Sequence, residues 1–540
     1  MLFHEAAARA LSDQGIDTVF GVLGDGNMFL IDSFQRAAGG KFYSMGHESG
    51  GVLAANGYAR TSGRLGVATV THGPALTNTV TALVESVKDH TPLLLVAGDT
   101  AVADRDNLQN ISQREIVTST GAGFEQVRSP ESVFRDIAVA IRRAHLERRP
   151  VVLNVPVEFG WREVDYAPVH LGQLAPQAIR PDPAAVEEAV GVIAAANRPI
   201  VLAGQGTTTP EAKAALVRLG SRIGAPLATS LRGRDLFRGE PADLGIFGDL
   251  SHEVALETIA AADTIVAFGA SLNRWTAAEG ATLNGKRVVH VDIDRTAIGQ
   301  FSGVDVGVVG EVAAVADAFV EMLDEAEVKP TGFASPALAD RLASWDRRQE
   351  EDLSTAETVD IRTAVRRVEA AFPADRTLVH DVGRFMLHTF ALMHVPTPRA
   401  FVSTTNFGAI GLGMGNAVGA YFGAPERPVL LVTGDGGFML GGLTEFNSAV
   451  RHGVDLVVVV LNDGAYGAEH VHFRRRNMDP ALSTMAWPDF GPVATALGGR
   501  GFTAHNLAEL DEALTASQQR DRPVLIDVKI DPDRVPMPGR

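Results

Sequence analysis

Short β-branched runs that end on Gly or Asp, each followed by an amphipathic helical stretch, recur in three separate segments of this chain. The first set is 18–22, 66–71, 92–97 and 150–155. The second is 199–203, 263–269 and 287–293, and the third is 377–381, 429–433, 456–461 and 523–528. Apolar runs of this length joined through helices belong to parallel sheets covered on both faces. The expected fold class is therefore α/β, with three domains of parallel sheet flanked by helices.

The chain has 540 residues, which suits several domains of roughly 150 residues each. Two stretches break the strand–helix grammar. Residues 166–183 are rich in Pro and Gln, and 328–358 begins with Lys329-Pro330-Thr331-Gly332 and runs into the charge-dense 346–352. Both read as connectors, which places the domains at 1–170, 182–327 and 355–540.

Lys and Arg number 48 against 65 Asp and Glu, a net charge of −17, so no broad positive field is available for a phosphate backbone. Nucleic acid is not an expected partner. The absence of cysteine excludes disulfides, a thiolate nucleophile and a Cys-type zinc site. Residues 1–11 carry His4, Glu5 and Arg9 in helical patterning, unlike a signal peptide, and no apolar stretch approaches the ~20 residues of a membrane span. The reading is a cytoplasmic protein without membrane association.

The strongest chemical signal is Gly434-Asp435-Gly436-Gly437, directly after an apolar run. Ligands of open parallel sheets bind beyond the carboxyl ends of the strands, so a loop there offers N–H groups to an anion and a carboxylate to a cation. A second run ends at Asn462-Asp463-Gly464-Ala465-Tyr466. If the two strands are neighbours, Asp435 and Asp463 supply what Mg²⁺ takes from a protein, one or two carboxylates beside substrate phosphates. As turn residues these positions also have a purely local use.

His47-Glu48 opens a helical stretch in which Glu48, Val52 and Ala55 share a face. A carboxylate on an apolar face would be desolvated and able to share a proton with a ligand nitrogen. Gly204-Gln205-Gly206 follows a strand but develops no G-x-G-x-x-G, and neither a G-x-S-x-G elbow nor a P-loop is present.

In this order the pieces resemble the thiamine diphosphate enzymes of the acetolactate synthase, pyruvate decarboxylase and benzoylformate decarboxylase superfamily. The resemblance implies a pyrimidine-binding domain, a middle Rossmann-like domain and a diphosphate-binding domain. It implies thiamine diphosphate and Mg²⁺ as cofactors. Glu48 matches the glutamate that binds N1′ of the aminopyrimidine, and Ile410 matches the bulky residue that bends the cofactor. The carbonyl of Gly408 is implied as acceptor for the 4′-amino group. Gly383, Gly434, Gly436, Gly437 and Tyr466 complete the cofactor-binding set, and Asp435, Asp463 and the Ala465 carbonyl are the implied metal ligands. Asp463 stands where relatives carry a second Asn, which leaves Asn462 as the alternative ligand.

On the substrate side, Asp25 and Glu469 resemble acidic groups of pyruvate decarboxylase, His72 the histidine of benzoylformate decarboxylase, and Gln113 the glutamine near the cofactor in the synthases. Each also has a structural reading: a turn cap, a solvent-facing acid, a satisfied buried imidazole and a backbone bridge. The consecutive histidines of pyruvate decarboxylase are absent after Gly98. The implied activity is non-oxidative decarboxylation of a 2-oxo acid, carboligation to an aldehyde or keto acceptor, or both, through an enamine. Active sites at a dimer interface are implied, in a homodimer or homotetramer. The alternatives are an acetolactate synthase-like transferase, with FAD held near Leu272-Asn273-Arg274-Trp275, and a non-catalytic thiamine diphosphate-binding protein.

Overall fold

The computed structural model describes residues 1–168, 178–345 and 351–535. It contains three six-stranded sheets in which every pairing is parallel. The chain divides into two compact units, one comprising Met1–Gln173, Asp352–Met393 and Ala400–Arg540, the other Leu174–Glu351 with His394–Arg399.

In the first unit, β1 (Thr18–Gly21), β2 (Lys41–Ser44), β3 (Gly66–Val70), β4 (Leu93–Asp99), β5 (Gly123–Gln126) and β6 (Pro150–Pro156) form one sheet. Its order is β2-β1-β3-β4-β6-β5. The central strands are continuous apolar runs because helices bury both of their faces. A second sheet of the same unit shares this plan. It holds β13 (Thr377–His380), β14 (Phe401–Ser403), β15 (Val429–Gly434), β16 (Leu456–Asn462), β17 (Arg500–Ala504) and β18 (Val524–Lys529), in the order β14-β13-β15-β16-β18-β17.

The helices Glu48–Ser62 and Gly413–Gly423 join these two sheets. Small residues let their backbones approach closely: a Cβ on Gly419 would lie 1.7 Å from the Ala54 carbonyl oxygen, and one on Gly57 2.1 Å from that of Asn416. Asn56 donates to Asn416 across the seam at 3.0 Å. Apolar residues of both sheets, among them Leu53, Val70, Val418 and Leu431, form one core.

The second unit contains β7 (Pro199–Ala203), β8 (Leu227–Thr229), β9 (Asp243–Ile246), β10 (Thr264–Phe268), β11 (Arg287–Asp292) and β12 (Val306–Val309). The order is β12-β11-β10-β7-β8-β9, with separate apolar cores on the two faces. Gly204 meets backbone there: its Cβ would lie 2.0 Å from the Gly269 carbonyl oxygen. Its glycine therefore serves chain packing.

The expected connector 328–358 needs correction. It contains the helix Pro336–Ser344, started by Ser335, whose hydroxyl accepts from the Leu338 N–H, and Leu338 joins the core of the second unit. Residues 169–177 and 346–350, the remaining centres of the two expected connectors, lie outside the described residues. Among the described residues no helix is long and apolar enough to cross a membrane.

Candidate cofactor and metal site

β15 and β16 are neighbours, with Gly434 opposite Leu461, so Asp435 and Asp463 leave adjacent strand ends almost in register. The expected loop after β15 is helical instead. Asp435–Gly437 forms a first turn, Phe438–Gly442 a π-helical turn, and Leu443–Arg451 a regular helix. Such an insertion absorbs an extra residue without breaking the helix, and π turns recur at functional sites.

Asp435 is 3 % exposed and accepts a 2.9 Å hydrogen bond from Trp487 Nε1 on Oδ2. Burial, followed by the neighbouring Asp463 charge, pushes its carboxyl up to about 7. Burial also raises the Asp463 carboxyl, against the opposing charge of Arg384. A carboxyl that burial and a neighbouring acid disfavour as an anion, as at Asp435, fits a cation beside it. No cluster of three or more His, Cys, Asp or Glu side chains suited to a metal occurs among the described residues. A cation here therefore needs other oxygens, such as the Ala465 carbonyl and a diphosphate, which fits Mg²⁺.

Asn462 is held by its neighbours. Its Nδ2 donates to Asp527 at 2.8 Å and its Oδ1 accepts from the Gly464 N–H at 3.1 Å. Asp463 accepts from Arg384 on Oδ2 and from the Ala465 N–H on Oδ1.

Ile410 and Tyr466 both border Gly436: a Cβ there would lie 3.3 Å from the Tyr466 ring and 3.8 Å from Ile410 Cδ1. Gly408 has a φ of +80° with open space around it, a conformation that favours glycine. The turn is fixed by Asp381, a residue the sequence reading passed over. Its carboxylate accepts from the Gly411 N–H, Thr433 Oγ1 and Thr404 Oγ1, each at 3.1 Å, and from the Val382 N–H at 2.8 Å. Gly383 follows in the same strand-end turn, tight against the Phe385 ring.

A second cluster lies at the carboxyl ends of β1, β3 and β4. Thr71 Oγ1 donates to Asp25 at 2.9 Å and lies 2.8 Å from His72 Nδ1. The His72 side chain is buried and that of Asp25 is 72 % exposed, so the acid faces solvent above a fixed imidazole. The turn-capping role belongs to Asn27, which accepts from the Gly24 N–H.

Gln113 makes the backbone bridge that the sequence also allowed. It accepts from the Gly73 N–H at 2.8 Å and donates to the Gly98 carbonyl at 2.9 Å and to Asn154 at 2.5 Å. These bonds occupy both of its donors, which makes it a bridge between chain segments. Glu469 is exposed in the first turn of the helix Gly467–Arg475.

Glu48 differs from expectation in its burial alone. Val52 and Ala55 on its helix face are fully buried, but Glu48 stands at the first turn, half-buried, and accepts from Asn78 Nδ2 at 3.0 Å. The packed seam begins one turn later, which is why the carboxylate is not desolvated within one chain. Among the described residues of that chain, no hydrogen bond or ion pair links Glu48 to Ile410 or to Asp435.

A doubled parallel-sheet unit with an acidic side chain after each of two adjacent strands is the class of fold that the comparisons with known proteins address. Models of the thiamine pyrophosphate enzyme N-terminal, central and C-terminal domains match residues 1–120, 186–319 and 381–528 in that order. The chain belongs to the thiamine pyrophosphate-dependent enzyme superfamily. It is similar to sulfoacetaldehyde acetyltransferase of Rhodobacter capsulatus, at 28% identity over 98% of this chain and 94% of the relative. It is likewise 28% identical to the acetolactate synthase large subunit of Parasynechococcus marenigrum, over 97% of this chain and 87% of the relative. A probable 2-ketoarginine decarboxylase of Pseudomonas aeruginosa is 29% identical over 97% of this chain and 93% of its own.

Proposed function

We propose that this chain is a thiamine diphosphate- and Mg²⁺-dependent lyase or carboligase. It releases CO₂ from a 2-oxo acid and delivers the remaining acyl fragment as an aldehyde or to a carbonyl acceptor. The observation that carries this reading is the pair of carboxylates on adjacent strand ends, Asp435 buried and Asp463 largely so. When bound, the cofactor supplies a nucleophilic carbon and an electron sink. Asp435, Asp463 and the Ala465 carbonyl would hold its metal, Ile410 and Tyr466 would border it, and Gly408 would offer its carbonyl to the aminopyrimidine. Glu48 would hold a proton at the pyrimidine nitrogen, with Asp25 and His72 placed to move protons on the substrate side.

Within one chain Glu48 bonds Asn78, while Phe407, Leu440 and Tyr466 around the metal loops are 47%, 70% and 43% exposed. Both features support a working site completed by a second copy, with Glu48 from one subunit and Asp435 from the other.

The test is calorimetric uptake of thiamine diphosphate by stripped protein, with and without Mg²⁺, followed by CO₂ release from a panel of pyruvate, branched-chain and aryl 2-oxo acids. Metal-dependent uptake and CO₂ release from at least one acid are expected. No uptake in the presence of Mg²⁺ would overturn the assignment. The acetyltransferase and synthase names of two relatives favour a second reading, acyl transfer to a second substrate. A ligated product in place of free aldehyde would decide for it.

A further inference from the structure

The second metal carboxylate does not stand alone. Arg384 Nη2 donates to Asp463 Oδ2 at 2.5 Å, and its Nη1 donates to the Pro532 carbonyl at 3.0 Å. The two side chains are only 4% and 13% exposed. Arg384 Nε is buried without a hydrogen-bond partner among the described residues and lies against Gly467, where a Cβ would come within 2.8 Å of Nε and 2.7 Å of Asp463 Oδ2. The guanidinium is therefore wedged between the turn after β13 and the start of the Gly467–Arg475 helix. One of its three nitrogens is spent on anchoring it to the backbone and one on the carboxylate.

This arrangement has a consequence for the carboxylate's other oxygen. Asp463 Oδ2 is tied to Arg384, and Oδ1 accepts only a long bond, 3.2 Å, from the Ala465 N–H. Asp435 is held in the same way, with Oδ2 on Trp487 Nε1. Each carboxylate thus has one oxygen fixed by a side-chain donor, which orients the other for single-oxygen ligation. The charge also matters. Two buried aspartates facing a diphosphate would repel it, and one fixed guanidinium beside the second aspartate cancels half of that protein charge.

We propose that Arg384 is the positioning residue for Asp463: it orients the carboxylate and neutralises its charge so that the two-aspartate clamp accepts a magnesium diphosphate. This rests on the cofactor assignment above and adds to it a charge pair that no motif contains. A guanidinium that served only to fill space would tolerate a neutral substitute of similar length.

The experiment measures thiamine diphosphate uptake by stripped full-length protein in Mg²⁺, by calorimetry and by the change in total tryptophan fluorescence, to which Trp487, whose indole N–H bonds Asp435, contributes. Arg384→Gln is expected to weaken uptake about tenfold or more, Arg384→Lys less, because the charge remains but the fork is lost. The double variant Arg384→Gln/Asp463→Asn, a neutral pair, is expected to return to within about threefold of the unmodified protein. Unchanged uptake in Arg384→Gln, or a folded double variant no better than the single, overturns the proposal. If Arg384→Gln does not fold, the double variant alone decides by the same threshold. No uptake by the unmodified protein would instead remove the cofactor assignment on which the pair depends.

Discussion

The first and third sheets are built to one plan, yet their strand ends carry different side chains. Each places its third strand, β3 or β15, before a helix carrying a fully buried glutamate that reaches across to the other half. Glu85 accepts from the N–H groups of Asn406 and Phe407 and from the Asn406 amide. Glu445 accepts from the N–H groups of Gly46 and His47. The acids are reciprocal: each satisfies backbone donors just before the helix that the opposite half contributes to the seam. At the strand ends the likeness stops. The third sheet presents a buried Asp435 and a largely buried Asp463, whereas the first presents Asp25 in solvent above His72. A shared scaffold fixes position, and a few strand-end residues decide chemistry.

The largest effect should come from breaking this functional asymmetry. Asp435→Ala is expected to abolish cofactor uptake in calorimetry and to lower CO₂ release by roughly a thousandfold, since a metal at developing charge is worth several kcal/mol. Asp25→Ala should retain uptake and lose turnover. Equal loss of uptake in both variants would contradict the division of labour.

Structural symmetry is sharpened next. Gly419→Ala pushes a methyl into the Ala54 carbonyl, so the helices must separate, and a loss of about 3 kcal/mol in chemical denaturation is expected. Glu85→Ala and Glu445→Ala each remove a buried acceptor from two backbone N–H groups of the opposite half. Each should cost about 1–3 kcal/mol, by similar amounts, read from denaturant midpoints. A large difference between them would show that the two halves do not share the seam equally.

The middle unit gives the smallest effect. Burial, with the Asp235 charge added, raises the Asp243 carboxyl to about 6, opposed by the Gly245 N–H, His394 and Lys213. Between pH 4 and 6 the folded state therefore binds more protons than the unfolded state, so stability falls as pH rises through that window and stays lower above it. Asp243→Asn should raise stability at pH 7 by about 1 kcal/mol and leave it unchanged at pH 4, measured by melting at the two values.

The inner strands were legible because they are continuous apolar runs: β7 is found where the sequence pattern puts it, and β1, β3, β4, β6, β10, β11, β13, β15, β16 and β18 within a residue or two. The strands that pattern reading passes over are β2, β5, β9, β12, β14 and β17, which are the six sheet edges, and the three-residue β8. An edge strand has one neighbour and, in most of these, partly exposed faces, so it does not need an unbroken apolar run. Asp435 and Asp463 were legible for a related reason, since each directly follows an inner run. Arg384, Trp487 and Asp381 were not. Their significance lies in partners 79, 52 and 30 residues away, respectively, Asp463, Asp435 and Gly411.

The sequence by itself determined the parallel-sheet class, the family and the acids at two strand ends, because local period and short spacing encode those features. Tertiary structure alone decided that Gln113 is a bridge and Asn462 an internal brace, that Glu48 stands half-exposed in a single chain, and that Asp463 is matched by Arg384. Each of these depends on which distant donors and charges reach a side chain once the sheets are packed.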